Sequence, residues 1–136
     1  QIERLIHLAC LAWLRLHLPG AVIHHSPNEL GIDGPEAARA VAKAKHLGMS
    51  PGFPDLLVVW RREIWGIEVK REGGRPTDAQ RAVGEALERN GARWAVVHSV
   101  DDLARTVAEW RGAIGEPGEW PSPPPHSDSI SREEAP

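Results

Sequence analysis

Pro54-Asp55-Leu56-Leu57-Val58-Val59-Trp60, the polar bend Arg61-Arg62-Glu63, and Ile64-Trp65-Gly66-Ile67-Glu68-Val69-Lys70 form the stretch on which the fold turns. Both flanks of the bend are short and rich in β-branched and aromatic residues, the composition of two adjacent antiparallel strands joined by a tight connection. Such a pairing brings Asp55 close to Glu68. Because strand side chains alternate, Glu68 and Lys70 project on one side while Ile67 and Val69 project on the other, into a core. One side of the strand pair therefore collects Asp, Glu and Lys together.

Crowded carboxylates repel one another, and burial disfavours their ionised forms, so the cluster is costly unless something uses it. A divalent cation would relieve that cost. Ligands that are all oxygen suit Mg²⁺ or Mn²⁺ better than Zn²⁺, which prefers Cys and His. The alternative is an ordinary strand with a solvated polar face, on which Glu68 and Lys70 form a surface pair worth little. Spacing alone leaves both readings standing.

Gly52-Phe53-Pro54-Asp55, then Glu68-Val69-Lys70, then Gly74-Arg75-Pro76-Thr77 followed by Gln80 resemble the PD-(D/E)XK nuclease superfamily and, within it, the VRR-NUC domain family. The resemblance covers most of residues 1–99 and lies in the order and spacing of the blocks. It implies a restriction-endonuclease-like α/β core, a mixed central sheet flanked by helices. It implies metal-dependent hydrolysis of phosphodiester bonds in DNA, with Mg²⁺ or Mn²⁺ as cofactor. Asp55 and Glu68 would be metal ligands, with the backbone carbonyl of Val69 beside them, and Lys70 the catalytic lysine. Gln80 would lie near the site, and Glu3, on the first helix, would be a third carboxylate. Small stand-alone members of the family are expected to work as homodimers.

At 136 residues and 41% apolar content the chain has room for one domain with a single core. No apolar run reaches membrane-spanning length, and no signal-peptide pattern opens the sequence. A single cysteine, Cys10, excludes an internal disulfide framework and suits a reducing cytoplasm. The net charge of −3 is unevenly placed: removing the −4 carried by residues 115–136 leaves residues 1–114 at +1. That balance permits a nucleic-acid partner without demanding one.

Apolar residues at three- and four-residue steps, Ile2, Leu5, Ile6, Ala9, Ala12, Trp13 and Leu16, predict an amphipathic helix over 1–18, ended by Pro19-Gly20. That stripe is expected to bury against the sheet. Glu3 lies off it, and an acid in the first turn also complements the helix dipole, which is the competing explanation of the residue. Residues 21–25 read as a short strand and 26–34 as a polar loop, whose His24 and His25 carry no catalytic spacing. Asn28 in that loop is a candidate DNA contact by the resemblance. A second helix over 35–48 has a basic side, Arg39, Lys43, Lys45 and His46, that leads toward Asp55, so Lys43 and Lys45 are candidates for phosphate steering.

After Lys70, the stretch Arg71 to Pro76 reads as a mobile basic loop beside the site, with Arg71 and Arg75 as further DNA contacts. Thr77-Asp78-Ala79-Gln80 fits a capping box, which by itself explains Gln80 without any role at the site. The helix it opens runs to about Asn90, burying Ala79, Ala82, Val83, Ala86 and Leu87, and stops at Gly91. Arg93 to His98 is a buried strand, so strand, helix and strand make a βαβ unit with parallel pairing. Ser99 caps a last helix carrying Leu103, Val107 and Trp110 on one face. From Gly115 the composition of Gly, Pro, Ser and acids predicts a disordered tail, residues 115–136.

Six tryptophans exceed what so small a core must bury, which makes Trp60 and Trp110 candidates for a homodimer interface. The function expected is a metal-dependent DNA endonuclease, with branched or junction DNA as the candidate structure-specific substrate. The alternative is a catalytically silent DNA-binding module with the same fold.

Overall fold

The protein is described by a computed structural model covering residues 2–26, 39, 43 and 51–115. Its frame is a four-stranded sheet in the order β1-β2-β3-β4. The strands are β1 (Val22–His25), β2 (Leu56–Trp60), β3 (Glu63–Val69) and β4 (Arg93–Val97), and the helices are α1 (Ile2–His17), α2 (Asp78–Arg89) and α3 (Val100–Ile114). β1 pairs with β2 and β2 with β3 antiparallel, while β3 and β4 are parallel across the α2 crossover. The mixed α/β sheet expected from the sequence is therefore present. Among the described residues no helix is long and apolar enough to cross a membrane.

The central hairpin closes in two residues, with Trp60 paired to Glu63. Arg61 and Arg62 both take left-handed backbone, at φ 48° and 67°. Such a connection normally recruits Asn-Gly, because a side chain pays a steric penalty there. Here the Arg61 guanidinium lies over the Trp60 ring at 4.3 Å and that of Arg111 at 5.0 Å, contacts that recover part of that penalty.

Cross-strand registers sort the side chains onto two faces. Leu56, Val58, Trp60, Trp65, Ile67, Val69 and Val97 share one face and are buried against α1 and α3, through Cys10, Leu14, Leu18, Leu103 and Val107. Burial holds the Cys10 thiol neutral, its pKa pushed up to about 11. On the opposite face lie Leu57, Val59, Ile64, Gly66, Glu68, Trp94 and Val96, and there α2 packs.

Three expectations about packing need correction. The buried line of α1 is His7, Cys10 and Leu14. Ile2, Leu5 and Leu16 instead stand 62%, 67% and 76% exposed, with Ala9 and Ala12 exposed between them. The helix is apolar on two sides, and only one of them meets the sheet. On α2, Ala79 and Ala82 are exposed and the buried position is Gly84. A Cβ there would lie 2.2 Å from the Trp94 ring, so the indole of β4 occupies the space a side chain would need.

Trp60 and Trp110, expected at an interface, pack on the intervening Trp65 at ring distances of 5.7 and 5.0 Å. That cluster joins the hairpin to α3 within the monomer. The expected second helix over 35–48 lies outside the described residues except for Arg39 and Lys43, which are helical and exposed. The tail beyond Gly115 also lies outside them. α3 ends at Ile114, and Gly115, at φ 79°, turns the chain out of the helix.

Candidate active site

Asp55 precedes β2, and Glu68 is the penultimate residue of β3. Both are buried, at 2% and 0% exposure. Removing two acids from water demands polar partners, and each accepts a hydrogen bond. The Val69 backbone N–H donates to Asp55 Oδ2 at 2.7 Å, fixing the aspartate one residue along from Glu68. The Gln80 amide Nε2 donates to Glu68 Oε1 at 3.0 Å. Lys70 follows directly, its N–H held by the Val97 carbonyl at 2.9 Å as β3 meets β4.

Gln80 reaches Glu68 from the first turn of α2, where it is also half of a capping box. Its Oε1 accepts from Thr77 N–H at 2.8 Å, and its own N–H donates to Thr77 Oγ1 at 3.1 Å. Capping and site contact, which in the sequence compete to explain this residue, coexist because an amide carries an acceptor and a donor at one end. The helix start is brought to Asp55 by Gly52, whose backbone sits at φ 81° directly against α2. A Cβ at Gly52 would lie 2.5 Å from the Ala79 carbonyl group. Only glycine satisfies both that conformation and that closeness.

Glu3 stands in the first turn of α1. It is half-buried, four residues before His7 on the buried line of the helix, and among the described residues no group of three His, Cys, Asp or Glu side chains is arranged to hold a metal. The donors the structure gathers are the Asp55 and Glu68 carboxylates, with the Val69 peptide between them. That set is all oxygen and anionic, so it fits Mg²⁺ or Mn²⁺, which complete their shells with water.

Of the expected DNA contacts, Arg71 and Arg75 are exposed on the loop that leaves the site and Lys43 is exposed on its helix, while Asn28 and Lys45 lie outside the described residues. The 71–76 loop, expected to be mobile, is tied down: Gly74 N–H donates to the Arg71 carbonyl at 2.8 Å, and His98 Nε2 donates to the Gly74 carbonyl at 3.0 Å. His98 in turn packs its Nδ1 3.3 Å from Asp102 Oδ2, which accepts from the His98 backbone N–H at 3.0 Å. That backbone donor, followed by contacts from Arg105 and the His98 ring, lowers the Asp102 pKa below its ordinary value. Nothing in the sequence marks His98: it stands at a strand end with no motif around it.

The VRR-NUC domain model matches residues 29–101, a span that holds Asp55, Glu68, Lys70, Gln80 and His98 and begins downstream of α1 and Glu3. A solved structure described as a "VRR_NUC domain protein" superposes with a TM-score of 0.64 at 22% identity, over 82% of this chain and 89% of that one. Its likeness is one of fold. No curated protein matches the chain.

Proposed function

The chain belongs to the VRR-NUC domain family, whose members are generally nucleases, and from that premise we propose that it is a Mg²⁺- or Mn²⁺-dependent DNA endonuclease acting through Asp55, Glu68 and Lys70. One observation carries the reading: two fully buried acids meet at the end of β3 with a lysine as the next residue. A surface ion pair does not require that burial, and a packed core does not tolerate it without a use.

In this reading Asp55, Glu68 and the Val69 carbonyl hold the cation, which when bound supplies Lewis-acid chemistry at the phosphoryl group. The chain's own contribution is orientation. The Val69 N–H fixes one Asp55 oxygen and the Gln80 amide fixes one Glu68 oxygen, so both carboxylates are oriented before a cation binds. Lys70 places a point charge where negative charge grows on the phosphate oxygens. Arg71 and Arg75 on the adjoining loop, with Lys43, hold the substrate backbone by charge.

One such site cuts one strand per encounter, so paired incisions need a second copy related by two-fold symmetry. The exposed Ile2, Leu5, Ala9, Ala12 and Leu16 recur at alternating three- and four-residue steps, the spacing by which one helix packs along another. Two copies meet through this line of α1 rather than through Trp60 and Trp110.

The test is incubation of the purified chain with end-labelled single-stranded, duplex, flap and four-way DNA, in Mn²⁺ and in EDTA. Scission in Mn²⁺ that stops in EDTA, strongest on a branched substrate, is expected. Binding without scission on every substrate would overturn the enzyme reading in favour of a silent DNA-binding module.

A further inference from the structure

Beside the acids lies an open hollow of about 820 Å³, lined by the 71–76 loop, the start of α2 and the end of β4. Arg75 and Arg81 reach it from two elements, and among the described residues neither guanidinium has a carboxylate partner. The acids at the same hollow are Glu72, exposed at its rim, and Asp102, already engaged by His98 and Arg105. The charge left to face a ligand is cationic.

The position of these arginines is over-determined. Arg75 sits between two anchors, the Gly74 carbonyl held by His98 and the Thr77 N–H held by Gln80. Arg81 directly follows Gln80, whose other end grips Glu68. Both cations are thus in fixed register with the carboxylate site, although each lies on the surface. Surface arginines ordinarily wander, and ordering one costs side-chain entropy that a bound anion must recover. Here the backbone on either side of Arg75 is ordered in advance.

We propose that this hollow binds a DNA backbone phosphate flanking the one that is cut, with Arg75 and Arg81 as its cations and His98 as the positioning residue that holds the loop in place. The inference rests on the endonuclease reading and names where the uncut part of the strand is held. Asp102 orients the His98 ring, and the ring pins Gly74. Through Gly74 the loop keeps Arg75 over the hollow. His98 lines the same hollow, but both its ring nitrogens are taken, one by the Gly74 carbonyl and one by Asp102.

Salt-dependent binding separates these roles from a purely structural one. Fluorescence anisotropy with a labelled duplex in EDTA, from 50 to 200 mM salt, reads the number of phosphate contacts as the slope of log affinity against log salt. Arg75→Ala and Arg81→Ala should each flatten that slope by about 0.9, equivalent to roughly eightfold weaker binding at 0.1 M relative to a 1 M reference. His98→Gln, whose amide nitrogen reaches the place of Nε2, should keep the wild-type slope, whereas His98→Asn, which reaches only the Asp102 side, should bind like Arg75→Ala.

Wild-type slopes in both arginine variants would overturn the subsite, and equal binding by the two His98 variants would overturn the positioning role. A wild-type chain that binds DNA at no salt concentration would instead overturn the endonuclease reading on which the subsite rests.

Discussion

Replacing Gln80 by Ala and by Glu separates the two jobs of one side chain. Glutamate keeps the capping contact, since a carboxylate accepts from Thr77 N–H as the amide oxygen does, but it puts an anionic oxygen where Nε2 faces Glu68 at 3.0 Å. Alanine loses both contacts. A donor to a buried carboxylate contributes roughly 1.5–3 kcal/mol and an exposed capping contact about 0.5–1 kcal/mol, so Gln80→Ala should cost about 2–4 kcal/mol.

For Gln80→Glu the lost donor is joined by like-charge repulsion, whose ceiling is about 5 kcal/mol for charges roughly 3 Å apart at an effective dielectric near 20. The variant with the intact cap should therefore be the less stable of the two. Urea unfolding in EDTA at neutral pH gives the order directly, and each kcal/mol corresponds to a melting shift of roughly 3–5 °C in a domain of this size. Millimolar Mn²⁺ should then restore Gln80→Glu more than Gln80→Ala, because the added carboxylate adjoins the cation's ligands. A Gln80→Glu protein as stable as wild type in EDTA would refute the reasoning, since the bond to Glu68 would then carry no weight.

Gly84→Ala should destabilise by about 1–2 kcal/mol in thermal melts, because overpacking against Trp94 outweighs the roughly 1 kcal/mol gained in helix propensity; a more stable variant would show that the indole yields freely. Exchanging Arg61-Arg62 for Asn-Gly should stabilise the hairpin by about 1 kcal/mol in urea melts, the relief of left-handed backbone exceeding the lost ring contact. Leu5→Asp with Leu16→Asp should leave the fold intact and give a monomer in analytical ultracentrifugation at micromolar protein, where wild type sediments as a dimer. A monomeric wild type would remove the α1 interface and point to nicking as the native activity.

The hairpin and the βαβ unit were legible because strand alternation and β-branched composition speak for both faces at once, and the turn fixes register even though Arg61-Arg62 lacks the usual turn residues. The buried side of α1 was not legible. Two apolar lines run along that helix, and periodicity does not say which one meets the sheet; the true one runs through His7 and Cys10, which a count of large apolar residues passes over. Ala79 and Ala82 misled for the opposite reason: the closest approach of α2 is made by a missing side chain, at Gly84.

Near the site, the approach of Asp55 to the Glu68–Val69 segment could be read from the strand spacing, because hairpin geometry brings the two together without help from distant chain. Gln80 was visible only as a choice between capping and a place near the site, and its amide makes both the capping contact and the bond to Glu68. His98 acts through a carbonyl 24 residues away, a contact that exists only after β4 has been laid beside β3.

The most direct test of the account is metal-dependent cleavage of one labelled DNA by wild type, Asp55→Ala, Glu68→Ala and Lys70→Ala, each shown to be folded by circular dichroism. Wild type should cut in Mn²⁺ and stop in EDTA, and each variant should lose roughly 10²-fold or more in single-turnover rate. A near wild-type rate in any folded variant would contradict the assignment of the buried acids and their lysine to the chemistry.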